Sequence, residues 1–381
     1  MFKKIDKKLL EQVSSLDANK KVDCLVYANN YFYAKKYLQG CNLNIIEYPF
    51  IKAFGLKTDI KNLTKIAGLT HVKYVSSVAK VFAQMDIAKK VHNIATVQKK
   101  YTGKDVTVAV IDTGIAEHLD FCSFKNRIVA FKDFVGQKSY PYDDNGHGSF
   151  VCGVLGGNGF LSGKKYSGVA PNCNIVMCKA LDTNGETGAL TILKAMQWIF
   201  DNKNKYNIKV VCLSLGSQPL ESGDPLMQGA EALWNEGLVV VCAAGNSGPD
   251  SRTIKSPGTS GKIITVGAFY DGRNEGEAIK KNFEIAKFSS RGPAGRFYKP
   301  DCVATGVDIN SVGIKNFYTK MSGTSVSTPI VAGCVALLLE AMPRLSPLEV
   351  KSKIIGCCQQ FEFDRNAEGF GFVDASKLIK L

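Results

Sequence analysis

Apolar and polar positions along the chain fall into two rhythms. Over residues 22–77 short apolar runs alternate with helix-spaced ones. The pattern predicts strands at 22–26, 43–48, 50–56 and 71–75, and helices at 31–38 and 59–67. Asp59 is placed to cap the second helix and Gly68 to stop it. The order β-α-β-β-α-β is the ferredoxin-like pattern of a small α+β unit. Residues 78–104 read as a connecting segment with some helix.

From Asp105 the rhythm changes. Nearly continuous apolar strands are expected at 106–111, 174–180, 210–215, 238–243 and 263–266. Helices are expected at 147–155, 189–202, 225–235, 324–341 and 347–355. The last has a full start signal in Ser346, Pro347 and Glu349. Fully apolar strands between helices predict an α/β fold, a mostly parallel sheet covered by helices on both faces. Two domains follow, 1–85 and 86–381. No internal repeat or low-complexity tract interrupts them.

Composition narrows the function classes. At 45% hydrophobic and 22% charged residues, the chain is neither disordered nor collagen-like. No apolar run reaches the roughly 18 residues of a membrane helix. The segment MFKKIDKKLLEQVSSLD carries a basic cluster with no apolar stretch behind it, so the expected location is cytoplasmic. The net charge of +14 is concentrated in residues 1–85, where fourteen lysines face six acidic residues. Those lysines are scattered and no nucleic-acid motif accompanies them, so neither nucleic acid nor a membrane is an expected partner. The twelve cysteines include no C-x-x-C pair, which removes support for zinc or thioredoxin-type chemistry. Cys212 and Cys242 sit in apolar runs and read as buried small hydrophobes. The vicinal Cys357 and Cys358 could be redox-active.

In a parallel sheet, ligands bind beyond the carboxyl ends of the strands. The first strand of the larger region ends in Asp112-Thr113-Gly114. An aspartic-protease reading of D-T-G would need a second copy, and there is none. His147 lies in Asp143-Asp144-Asn145-Gly146-His147-Gly148-Ser149 at a helix start, flanked by glycines; by itself it could be a helix-terminal histidine without a role. Ser325 opens a long apolar helix, where an N-cap is the plain alternative. Asn246, in Ala243-Ala244-Gly245-Asn246, follows a buried strand, where a turn residue is the plain alternative.

Together these segments are similar to one family. The blocks YTGKDVTVAVIDTGI, NGHGS, YSGVAP, LSLGS, AAGNSGP, SPGTS, ITVGA, FSSRGP, KPD and SGTSVSTP, in that order, resemble the subtilisin-like serine proteases, nearest to their intracellular-type branch. The resemblance implies a serine endopeptidase that acts on polypeptides through an acyl-enzyme. It implies Ser325 as nucleophile, His147 as general base and acid, Asp112 as orienting carboxylate and Asn246 as oxyanion donor. It further implies that Ser214, Leu215 and Gly216 pair with the substrate backbone, and that Ala243, Ala244 and Gly245 wall the pocket for the residue before the scissile bond. Lys255, by its spacing from Pro257, is expected near the floor of that pocket.

By position, residues 1–85 stand for the family's propeptide, a folding aid and self-inhibitor in a zymogen, with autoprocessing expected between Val81 and Asp86. The chemistry requires no cofactor. Structural calcium is left open, because Asp120 matches a common ligand position while the loop 156–167 is longer than the family's calcium loop. Val326 and Ser327 stand where the family usually has Met-Ala, Phe150 where a second histidine is frequent, and Thr305 where proline is frequent. Cys152, five residues after His147, suggests sensitivity to thiol reagents. The rival reading is a catalytically silent binding or scaffold protein on the same fold.

Overall fold

Two sheets organise the chain, each in its own unit, Met1–Val81 and Phe82–Leu381. The computed structural model describes residues 4–5, 9, 21–41, 43–49, 52–77, 84–220, 223–272, 283–361 and 363–380. The expected processing segment, 81–86, falls partly outside them.

The first unit runs β1 (Val22–Ala28), α1 (Tyr31–Gly40), β2 (Ile45–Tyr48), β3 (Ala53–Thr58), α2 (Ile60–Gly68) and β4 (Val72–Ser77). Its antiparallel sheet has the order β2-β3-β1-β4. Asp59 caps α2, its side chain accepting from Asn62 N–H at 2.9 Å. Leu63, Ile66 and Ala67 on α2 and Ala34 and Leu38 on α1 close one core with Val26, Phe54, Val72 and Val75 from the strands.

The second unit begins with α3 (Gln84–Val91), α4 (Ile94–Val97), β5 (Thr107–Asp112), α5 (Leu119–Cys122), β6 (Ile128–Asp133), α6 (His147–Gly156), β7 (Asn174–Lys179), α7 (Ala189–Asn202), β8 (Ile208–Leu213), α8 (Pro225–Asn235) and β9 (Val239–Ala243). It continues with β10 (Ile264–Tyr270), β11 (Glu284–Ile285), β12 (Cys302–Thr305), β13 (Ile309–Val312), β14 (Tyr318–Met321), α9 (Thr324–Ala341), α10 (Pro347–Cys357), α11 (Arg365–Glu368) and α12 (Ala375–Ile379). The main sheet has the order β11-β10-β9-β8-β5-β7-β6, with β12 also paired to β10. Every pairing is parallel except β10 with β11. All six residues of β5 and all five of β9 are buried, as strands covered on both faces must be.

α9 has 18 residues and is apolar enough, by length and composition, to cross a membrane. It is 83% buried within the protein instead, packed on β8, β9, β10 and β12 and against α6. Its apolar residues face protein on all sides, which is why its pattern shows no polar face.

Candidate active site

Three strand ends lie side by side at the carboxyl edge of the sheet. Val110 on β5 pairs with Cys212 on β8, and Leu213 on β8 with Cys242 on β9. Asp112 and Ala243, the last residues of β5 and β9, and Ser214, the first residue after β8, therefore lie at about the same level. Helix α6, which starts at His147, packs against α9, which starts at Thr324.

Asp112 is fully buried, and its Oδ1 lies 2.8 Å from His147 Nδ1 and accepts from Thr113 N–H at 2.7 Å. Its Oδ2 is buried without a hydrogen-bond partner. A carboxylate offers only acceptors, so Nδ1 carries the proton and Nε2 is left as the basic nitrogen. The imidazole is 27% exposed. Burial pulls its pKa down, but the charge of Asp112 and the hydrogen bond to it outweigh burial, with Asp143 adding, and the pKa stands above the ordinary 6.5.

The helix start that aims the ring is held from below. Asp143 accepts from Gly146 N–H at 2.8 Å, Ser149 N–H at 2.8 Å, Ser149 Oγ at 2.7 Å and Thr113 Oγ1 at 2.9 Å. These bonds satisfy donors that a helix start leaves orphaned and keep Asp143 ionised, its pKa lowered despite burial. Gly148 passes so close to Gly114 O that no Cβ fits between them. Lys179, fully buried on β7, donates to Thr113 O at 2.6 Å, Asp144 at 2.7 Å and Leu181 O at 3.1 Å. Sequence reasoning missed both residues. Asp143 carried a signal, an acidic residue just ahead of a helix start; Lys179 carried none, being one lysine at the end of an apolar strand.

Ser325 is half-buried on the first turn of α9. In an unbroken helix its carbonyl would accept from the N–H four residues on. That residue is Pro329, which has no N–H. The freed carbonyl accepts from Ser214 Oγ at 2.9 Å, which ties α9 to the end of β8. Asn246 is fixed by the residue before Ser325: its Oδ1 accepts both Thr324 N–H and Thr324 Oγ1–H at 2.9 Å. Only the amide oxygen can accept, so Nδ2 points the other way, toward the Gly323 and Ser325 side. Among the described residues Ser325 Oγ makes no hydrogen bond to His147. Hydrogen bonds between a nucleophile and its base tighten as substrate is bound.

The departures have local accounts. Ser327 is buried and its hydroxyl donates to Ala304 O at 3.0 Å. Thr305 supplies an N–H, which proline could not, and donates it to His92 Nε2 at 3.1 Å, while His92 Nδ1 lies 2.6 Å from Val373 O. Phe150 is fully buried core. Cys152 is fully buried too, and burial drives its thiol well above the ordinary value, so it is no target for thiol reagents. The Cys357 and Cys358 thiols both donate to Ile354 O at 3.1 Å.

The Asp120 carboxylate is engaged by donors of the protein itself. Its carboxylate accepts Tyr318 Oη at 2.8 Å and Leu161 N–H at 3.2 Å, and the neighbouring positive charge is the buried Arg127 guanidinium on the Asp120 carbonyl. Among the described residues no three His, Cys, Asp or Glu side chains gather as metal ligands.

Comparison with known proteins shows what the chain as a whole is similar to. The model of the subtilase family matches residues 103–372. Serine protease AprX of Bacillus subtilis is 41% identical over 303 residues, which cover 73% of this chain and 67% of that protein. Subtilisin DY of Bacillus licheniformis is 34% identical over 257 residues, covering 67% and 84%. The crystal structure of a cold adapted subtilisin-like serine proteinase matches with a TM-score of 0.58 and 28% identity, over 72% of this chain and 89% of that one.

Proposed function

The chain belongs to the subtilase family and is a serine endopeptidase, and from that premise we propose that it cuts polypeptides through Ser325, His147 and Asp112, with Asn246 receiving the negative charge that develops. The observation that carries this reading is the 2.8 Å contact between His147 Nδ1 and a fully buried carboxylate.

A serine hydroxyl is a weak nucleophile until a base takes its proton during attack. His147 Nε2 is that base. The Asp112 carboxylate holds the tautomer and stabilises the imidazolium as it forms. Attack of Ser325 Oγ on the scissile carbonyl forms the C–O bond and moves the carbonyl π electrons onto oxygen. The Asn246 Nδ2–H and the Ser325 N–H are the donors to that oxygen. The second needs no partner inside the helix, because the first turn of a helix leaves its N–H groups unpaired. His147 then gives its proton to the leaving amine, and the acyl-enzyme on Ser325 remains. Water, deprotonated by the same imidazole, hydrolyses the ester and restores the serine. Neither half needs a cofactor.

Residues 214–216 and 243–245 flank the extended substrate, whose main-chain hydrogen bonds give affinity with little sequence dependence. The first unit is the propeptide of a zymogen. What supports this is its own β-α-β-β-α-β fold, placed ahead of the family match that starts at residue 103.

The test is to express wild type and Ser325→Ala side by side and follow three readouts: labelling by a fluorophosphonate, casein hydrolysis, and the intact mass over time. Wild type should label at Ser325, digest casein and shorten from its N-terminal side; the variant should do none of these. A wild type that neither labels nor digests would instead fit a silent scaffold. Shortening that persists in Ser325→Ala would rule out autoprocessing.

A further inference from the structure

Beyond Ser214 and Ala243 the chain leaves the sheet as two backbone segments, 214–216 and 243–245, with a slot between them. A third segment closes the slot. Lys255 N–H donates to Ala244 O at 2.8 Å, and Ser256 exchanges two 2.9 Å backbone bonds with Ser217. Residues 255–256 are thereby sewn to both walls. The side chain of Lys255 occupies the space between them: a Cβ placed on Gly216 would come 2.8 Å from Lys255 Cβ, and one placed on Gly245 would collide with Lys255 Cγ. Both positions must be glycine for the lysine stem to lie there. The ammonium reaches out to Gln218 Oε1 at 2.8 Å. Among the described residues no carboxylate pairs with it.

The slot adjoins the reactive serine on both sides. Ser214 Oγ donates to Ser325 O at 2.9 Å, and Gly245 N–H donates to Thr324 Oγ1 at 3.2 Å. With Ser325 as the proposed nucleophile, a side chain entering between Gly216 and Gly245 would belong to the substrate residue whose carbonyl is attacked.

We propose that Lys255 sets the specificity of this position for an acidic side chain, glutamate before all others. The lysine Cβ and Cγ lie against both glycines and narrow the slot, which disfavours a large aromatic ring. The ammonium is held only by a neutral amide oxygen. A glutamate carboxylate would replace that acceptor with an anionic one, and hydrogen bonds between charged partners are about twice as strong as neutral ones. Glutamine has the same size and lacks the charge, so it separates electrostatics from fit. The ammonium is solvent-accessible, so the gain is on the order of tenfold rather than thousands.

This inference rests on the endopeptidase role of Ser325, and the experiment separates the two. Quenched fluorescent peptides, identical except for Glu, Gln, Phe or Lys before the cleaved bond, are digested by wild type, Lys255→Gln and Lys255→Glu at low and high salt. Ser325 labelling by a fluorophosphonate is followed in the same samples. Wild type should show kcat/KM for Glu over Gln on the order of tenfold at low salt, shrinking at high salt. The ratio should fall to about one in Lys255→Gln and reverse toward the Lys peptide in Lys255→Glu. A wild type that labels and cleaves with equal kcat/KM for Glu and Gln overturns the proposal, as does a preference that survives Lys255→Gln. A wild type that neither labels nor cleaves any peptide overturns the endopeptidase role of Ser325 and the specificity proposal with it.

Discussion

Thr324 holds Asn246 by two bonds to a single atom: its backbone N–H and its hydroxyl both donate to Asn246 Oδ1 at 2.9 Å. One residue thus orients the amide that we propose as oxyanion donor and also opens the helix on which Ser325 sits. The bond Gly245 N–H makes to the same hydroxyl, 3.2 Å, adds a third strut.

Thr324→Val keeps the shape and the backbone N–H but removes the hydroxyl. The amide then keeps one tether of two. We expect kcat to drop roughly 3- to 10-fold with KM nearly unchanged, the scale of one hydrogen bond. Asn246→Ala should cost far more, on the order of 10²–10³ in kcat, a size known for such an asparagine in a subtilisin. Steady-state kinetics on one peptide decides both, and a Thr324→Val enzyme with altered KM alone would contradict the orienting role.

The pH profile should carry the signature of Asp112. The imidazole works as a base only when neutral, so kcat/KM must rise with pH through the His147 pKa. Asp112 holds that pKa above 6.5, so the acidic limb of the wild-type profile should lie above pH 6.5. In Asp112→Asn the charge is gone while burial remains, so the limb should move to lower pH. The plateau should fall by about 10⁴, because the amide favours the wrong tautomer. A limb that stays in place in Asp112→Asn would show that another group titrates.

Stability has a separate weak point away from the site. Asp301 receives Lys299 Nζ at 2.6 Å and Lys351 Nζ at 2.9 Å, with all three side chains at most 10% exposed. Burial pulls the Lys351 pKa down and Asp301 opposes it without fully compensating. Asp301→Ala would leave two buried ammonium groups without their counter-ion. The expected cost is about 3–5 kcal/mol, read as a lowered midpoint in urea; a change under about 1 kcal/mol would show that water reaches the pair.

Thiol chemistry offers a simple check on burial. Cys41 is exposed and Cys152 fully buried. Brief alkylation of the native protein followed by peptide mass mapping should mark Cys41, leave Cys152 unmodified and preserve casein hydrolysis. Modified Cys152 in active protein would contradict the packing beneath His147.

Much of the fold is legible in the pattern of residues. Apolar runs marked β5, β7, β8, β9 and β10, and the Ser346–Glu349 capping box, with Ser346 N–H to Glu349 at 2.8 Å, marked the start of α10. What escaped was short or edge-like. β6 has only its end residues buried, so its sequence alternates weakly. The β13–β14 hairpin pairs Ile309–Val312 with the largely polar Tyr318–Met321 and exists through cross-strand bonds rather than through a run of apolar residues.

The sequence by itself determined the periodicities, the caps and which chemical groups the chain carries: a carboxylate at a strand end, an imidazole between glycines, a hydroxyl opening an apolar helix. These signals act over a few residues and survive without knowledge of the partner. The tertiary structure alone decided which way the Asn246 amide faces, that Pro329 releases the Ser325 carbonyl to Ser214, that Lys179 braces the loop after Asp112, and that Lys255 lies between two glycines. The bonds involved join residues 78, 111 and 66 positions apart. Such partners meet only when parallel strands pair in one register, and a slip of one residue in β7 would turn Lys179 to the opposite face.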